Sequence, residues 1–234
     1  MHVSAFPRRS ARKAAAVAAA AVLALALGGC ADDDSGAGAR SSRTPTASAT
    51  ASGAGSAGQP RDNRCGGRST DPGAAITRSS DIDIDASVAR VWAVHTDVGK
   101  WKDWQDAVLT VERLDPGAFS STSRFRWTTP VPESDFAPAD TLTITSGVTH
   151  AEPGACVIWE GPAKGEAITI DRGTHLWIFT ETDKGTRVHT QESWDAPLLD
   201  SLRGADREAV ADMLGGGLDV WLQALKKEAE TTGG

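Results

Sequence analysis

The sequence predicts an α+β domain in which a curved antiparallel sheet of about seven strands closes over one long C-terminal helix, with two short helices after the first strand. Three observations carry this. All eight Trp lie between Trp92 and Trp221, whereas residues 31–60 contain no Leu, Ile, Val, Phe or Trp, so the apolar content belongs to a single core. Period-two alternation begins at Asp81-Ile82-Asp83-Ile84-Asp85 and recurs in six later segments separated by Gly, Pro and Asp turns. The chain then ends in a helical stripe: Val210, Leu214, Gly217, Trp221 and Leu225 follow steps of four, three, four and four, widened by Leu218 and Leu222. The strands need an apolar cover and that stripe is the one large element able to supply it. A sheet curled around one helix tends to leave a hollow.

Each element has its own signal. Ile82 and Ile84 face the core from the first strand, and Ser87 caps a short helix with Val88, Val91, Trp92 and His95 along one side. Gly99 interrupts it, and Trp101-Lys102-Asp103-Trp104 begins a second short helix or turn. Strands are expected over residues 107–114 and 121–129, the latter with Phe125 and Trp127 inside and Arg124 and Arg126 outside. Pro130, Pro132 and Pro138 predict a loop covering one end of the sheet, because proline cannot donate to a ladder. Leu142 and Ile144 mark the next strand, residues 156–160 a short one before Gly161-Pro162, and residues 167–181 and 186–194 the final pair around Asp183-Lys184-Gly185. The last helix is expected over residues 206–230, with Lys226 and Lys227 favouring its C-terminal dipole. Gly215-Gly216-Gly217 in its middle costs about 3 kcal/mol relative to Ala, so the helix either bends there or needs space there.

The N-terminus has a different character. Arg8, Arg9, Arg12 and Lys13 precede an apolar run over residues 14–27, too short to span a bilayer, which reads as a secretory signal. Leu27-Gly28-Gly29-Cys30 resembles the lipobox of bacterial lipoproteins, which implies lipidation of Cys30 after removal of residues 1–29. Pro7-Arg8-Arg9-Ser10 has part of a twin-arginine signal but Ala11-Arg12 is a poor continuation, so both export routes stay open. Residues 30–77 read as a flexible tether reaching on the order of 35–40 Å, residues 78–230 as the folded domain and residues 231–234 as a disordered tail. The expected location is the extracytoplasmic face of the cell membrane. Gly53-Ala54-Gly55-Ser56-Ala57-Gly58 fits a dinucleotide fingerprint in spelling only, since no strand precedes it and no helix follows.

Loss of residues 1–29 leaves 20 basic against 31 acidic side chains, a net of −11. Such a balance excludes nucleic acid as a natural partner and assigns the membrane link to the anchor alone. In an oxidising compartment Cys65 and Cys156 are candidates for a disulfide, the other reading being two free thiols. No metal spacing and no cofactor motif is present, nor is G-x-S-x-G, a P-loop or H-E-x-x-H.

Val91-Trp92-Ala93-Val94-His95-Thr96-Asp97 with Trp101 and Trp104, then His175-Leu176-Trp177-Ile178-Phe179, Gly185-Thr186-Arg187-Val188, Glu192-Ser193-Trp194 and residues 221–226 resemble the START-like (SRPBCC) superfamily, in its polyketide cyclase/dehydrase-type branch. The resemblance covers residues 78–230 in order. It implies the helix-grip fold and an internal cavity, but no particular reaction, since that superfamily includes aromatases, cyclases and lipid or hormone binders.

Hairpin arithmetic locates a site. With Asp183-Lys184 as a two-residue tip, Phe179 opposes Val188, Trp177 opposes Thr190 and His175 opposes Glu192. Phe179, Trp177 and Val188 make this the apolar, inward face, so His175 and Glu192 form an inward polar pair; a slip of one residue would turn all of them outward. The pair suits general acid–base work, a hydrogen bond to a ligand, or mutual satisfaction in the core. Expected ligand contacts are Trp127, Trp159, His175, Trp177, Phe179, Glu192, Gly217 and Trp221. His189 is expected outside and His95 packed or partly exposed on its helix. Three functions follow: a lipid-anchored module holding a small hydrophobic molecule, which is preferred; a cyclase/aromatase-like enzyme using His175 and Glu192; or a non-catalytic structural or interaction domain with a filled core.

Overall fold

The computed structural model describes residues 64–231. Cys30, the signal segment and most of the tether lie outside them. The elements are β1 (Ile76–Ile84), α1 (Val88–Thr96), α2 (Trp101–Trp104), β2 (Thr110–Arg113), β3 (Arg124–Val131), β4 (Asp140–Glu152), β5 (Cys156–Lys164), β6 (Thr169–Thr182), β7 (Gly185–Asp195), α3 (Pro197–Ser201) and α4 (Gly204–Thr231). The seven strands form one antiparallel sheet in the order β1-β7-β6-β5-β4-β3-β2. Consecutive strands β2 to β7 are neighbours, and β1 joins the far edge beside β7, which is the predicted meander wrapped around a C-terminal helix. No helix among the described residues is long and apolar enough to cross a membrane.

Local chemistry explains the opening elements. The outward Asp81 and Asp83 of β1 oppose His189 and Arg187 of β7. Arg187 grips Asp83 through two hydrogen bonds of 2.8 Å, which holds that carboxyl below its usual range. Ser87 Oγ accepts from the backbone N–H of Arg90 at 3.3 Å and starts α1. Trp101 Nε1 donates to the carbonyl of His95 at 2.8 Å, fastening α2 to α1.

The folded part begins earlier than residue 78. Ile76 and Thr77 already pair with β7. Ahead of them, Thr70 Oγ1 donates to Gln191 at 2.7 Å, the Asp71 carboxylate pairs with Arg172, and Cys65 is bonded to Cys156. Around that disulfide, Ile158, Leu176 and Ile178 form a small cluster on the outer face of the sheet.

Two strands pass through residues expected to stop them. β3 continues through Pro130 to Val131 because β2 pairs no further along it than Thr128, so the missing N–H lies on a free edge. β5 continues through Gly161-Pro162 across a register shift before Ala163. Gly161 is required there: a Cβ would stand 1.9 Å from the Thr145 carbonyl oxygen.

α4 runs unbroken through Gly215-Gly216-Gly217, so the triplet does not end the helix. Polar contacts hold α4 along β1. Arg78 pairs with Glu208 and Asp212, Lys226 Nζ donates to the Asp83 carbonyl at 2.5 Å, and Glu230 accepts from the Asp85 N–H at 2.8 Å. Its apolar side divides between two buried clusters. Trp221, Leu222 and Leu225 join the indole-rich cluster beside α1 and α2. Val210, Ala211 and Leu214 join an aliphatic one with Ile76, Leu142 and Ile170.

Candidate functional site

A cavity of about 400 Å³ lies where these two clusters meet. Trp127, Trp159, Trp177 and Trp221 wall one end, and Leu142, Ala163, Ile170, Leu199, Val210 and Leu214 the other. Its exposed lining residues are Met213, Gly216, Gly217 and Val220 of α4, at helix positions i, i+3, i+4 and i+7, with Pro130, Pro132 and Thr169. A shallower groove shares Ser134, Phe136, Val210 and Met213 with the cavity lining. The Asp140 carboxylate accepts from the backbone N–H groups of Glu166, Ala167 and Ile168 at 3.1, 2.9 and 2.9 Å. That clamp fixes the β5–β6 turn beside the cavity and holds the Asp140 carboxyl below its usual range.

The glycine triplet supplies room. A Cβ on Gly216 or Gly217 would meet no atom within 4 Å. Alanine at either position is therefore expected to stabilise the protein by about 1 kcal/mol through helix propensity alone, measurable by urea denaturation, while narrowing the mouth by one methyl group.

His175 and Glu192 sit opposite each other in the predicted register. Both line the cavity, and His175 Nε2 lies 2.5 Å from Glu192 Oε1. Trp194 Nε1 donates to the same oxygen at 2.5 Å. His175 Nδ1 is buried without a partner in the protein. One face of the sheet thus carries the row Trp159, His175, Glu192 across β5, β6 and β7, with the Trp159 indole stacked on the imidazole at 5.5 Å and 19°.

His95 lies behind this row. It is fully buried on α1, its ring 5.3 Å from Trp159 and 4.5 Å from Trp177, and neither ring nitrogen has a partner. Burial, reinforced by the nearby His175, pushes its pKa down to about 3. It is a neutral packing group.

Of the expected contacts, Trp127, Trp159, His175, Trp177, Glu192, Gly217 and Trp221 line the cavity. Phe179 does not. It packs at the closed end, 5.4 Å from Trp92 and 5.3 Å from His95, because two residues further along β6 the sheet is already covered by α1. Trp194 was missed, although it follows Glu192 by two residues on one strand and so shares its face. The aliphatic wall was not recognisable as a wall, since its members come from β4, β5, β6, α3 and α4. His189 faces outward beside Asp81, at 3.0 Å. Cys65, His150 and Cys156 place potential metal-ligand atoms within 4.8 Å of one another, but the two sulfurs are bonded together.

Comparison with known proteins agrees with this geometry. A structure of a START superfamily protein from Mycobacterium smegmatis superposes with a TM-score of 0.52 at 12% identity, covering 66% of this chain and 97% of that one. A protein from Thermus thermophilus gives 0.51 at 17%, covering 68% and 99%. The di-domain ARO/CYC StfQ from the steffimycin biosynthetic pathway gives 0.53 at 15%, covering 66% of this chain and 50% of that one. These likenesses establish the START-like helix-grip fold. No curated protein matches the sequence. The family model described as "Polyketide cyclase / dehydrase and lipid transport" matches residues 75–230, two thirds of the chain, and the protein belongs to that family.

Proposed function

We propose that this protein is a lipid-anchored, extracytoplasmic module that holds a small hydrophobic molecule in the cavity between sheet and α4. The observation carrying this is the cavity itself. It is about 400 Å³, it is walled by indoles and aliphatic side chains with a few polar groups, and its exposed lining includes two residues without side chains, Gly216 and Gly217. A structural domain gains nothing from leaving such a hollow unfilled, since each missing contact lowers stability.

The anchor rests on the basic start, the short apolar run and Cys30 in its lipobox-like setting. Cys30→Ser is expected to move the protein from the membrane fraction to the soluble extracytoplasmic fraction. An unchanged distribution would count against the anchor without touching the cavity. For binding, native mass spectrometry of the purified full chain should find a non-covalent small-molecule mass that disappears on denaturation. A bare polypeptide that also fails to take up phenylnaphthylamine would reject the reading.

A second reading has a specific observation behind it. The contact between His175 and Glu192 at the cavity wall leaves Nδ1 without a protein partner, an arrangement suited to proton transfer in a cyclisation or dehydration. His175→Ala with turnover lost and binding retained would favour this reading. Turnover surviving both His175→Ala and Glu192→Ala would end it.

A further inference from the structure

We propose that Cys65, Cys156 and His150 form a redox-gated zinc site on the outer face of the sheet. With the two cysteines in the dithiol state the three side chains hold one Zn²⁺, and closing the disulfide expels it. The site lies on the face opposite the cavity and is independent of what the cavity holds. The placement of His150 carries the proposal. β4 and β5 pair Val148 with Trp159 and His150 with Ile158, so Thr149 is an extra residue in β4. Without it His150 would oppose Val157, which belongs to the inner, indole-rich cluster. With it His150 stands opposite Ile158, a member of the small cluster around the disulfide, and directly opposed residues share a face.

One imidazole nitrogen of His150 and the sulfurs of Cys65 and Cys156 consequently lie within 4.8 Å of one another. Among the described residues no other group of His, Cys, Asp and Glu converges in this way. Both cysteines are fully buried, and His150 Nε2 is buried with no hydrogen-bond partner in the protein. A buried nitrogen left unpaired is costly, and the disulfide alone gives the imidazole nothing to do. Two thiolates and one imidazole are donors that suit Zn²⁺, with water in the fourth position. Zn–S and Zn–N bonds of about 2.3 and 2.0 Å set tetrahedral ligand atoms roughly 3.5–3.8 Å apart, so the nitrogen needs to move by on the order of 1 Å. A dithiol reductant passes two electrons and two protons to the Cys65–Cys156 bond and itself becomes a disulfide. The two protein thiols then release their protons as Zn²⁺ binds. In reverse, a disulfide oxidant takes two electrons from the zinc dithiolate, the Cys65–Cys156 bond forms and Zn²⁺ leaves. Either state ties Cys65 to β5, through a covalent bond or through the metal.

The test uses the full chain carrying Cys30→Ser, so that Cys30 adds no third thiol. Protein reduced with a phosphine under argon is titrated with Zn²⁺ against a chromophoric chelator, and with Co²⁺ for absorption spectra. The expected result is one Zn²⁺ per reduced chain, none per oxidised chain, and one Zn²⁺ released for each disulfide formed on adding diamide. Co²⁺ should show a thiolate charge-transfer band and the d–d bands of tetrahedral coordination. His150→Ala keeps both thiols, and its oxidised form reports whether the variant folds. It is expected to bind Zn²⁺ at least about tenfold more weakly and to shift the d–d bands. Where the reduced chain unfolds without metal, Zn²⁺ should restore its circular dichroism in the parent and not in His150→Ala. A reduced chain that takes up no stoichiometric Zn²⁺, an oxidised chain that binds it equally, or affinity and Co²⁺ spectrum unchanged in His150→Ala overturns the proposal.

Discussion

The paired substitutions Cys65→Ala and Cys156→Ala are expected to lower the unfolding free energy by about 4 kcal/mol. The cross-link spans a sequence separation of 91 residues, which encloses β1 to β4 and both short helices. Closing a loop of that length removes much of the disorder available to the unfolded chain, and the cost of opening it grows with the logarithm of its length. Roughly 10 °C of melting temperature should go with it. Urea denaturation of the oxidised protein beside the double variant measures the difference. Because the disulfide lies with Ile158, Leu176 and Ile178 on the outer face, affinity at the cavity should be unchanged wherever the variant is folded. A loss of binding at temperatures where it remains folded would mean that the outer segment shapes the cavity.

The second large effect is acid sensitivity centred on His95. Its pKa stands near 6.5 in the unfolded chain and is pushed down to about 3 by burial in the fold. Between those values the unfolded state takes up a proton that the folded state refuses. Above about pH 6.5 both states are neutral and His95 adds no pH dependence. As pH falls below 6.5, stability declines by about 1.4 kcal/mol per unit, and the decline ends only as pH approaches 3. Carboxylates held below their usual range, such as Asp140 through its backbone hydrogen bonds, act in the same direction but only from about pH 4 downward. The window from pH 6.5 to 4 therefore belongs to His95. His95→Phe keeps an aromatic ring against Trp159 and Trp177 and is expected to flatten the stability profile in that window. A slope that survives the substitution would assign the sensitivity to another group.

Much of the fold could be read from residue pattern because local signals and tertiary arrangement agree. The turn at Asp183-Lys184 pins the β6–β7 register, and from it the His175–Glu192 pairing follows by counting, because the ladder is regular from the turn to Asp195. Ser87, the strand of alternating Asp and Ile, and the stripe on α4 are equally local. The misreadings concern facts set by partners distant in sequence. Nothing near Pro130 says that β2 will have ended before reaching it. In residues 64–77 only Cys65, a candidate partner of Cys156, points to an attachment, and nothing there shows that Gln191 and Arg172 will also hold that segment against the sheet. Phe179 obeys the same alternation as Trp177 and His175, so period two places it on the inner face, but it cannot tell the open end of the sheet from the end that α1 covers. The cavity's aliphatic wall is assembled from five elements and has no local signature at all.

The claim on which the rest depends is that the space beside Gly216 and Gly217 leads to the ligand site. Gly217→Trp tests it, because an indole projected from that position enters the mouth of the cavity while the helix gains propensity over glycine. Full-length wild type and variant are titrated with phenylnaphthylamine and followed by its fluorescence, with melting temperature measured on the same samples. The expected result is one saturable site in the wild type, at least about tenfold weaker in the variant, with a melting temperature no lower than that of the wild type. Equal affinity and stoichiometry in two equally stable proteins would contradict it.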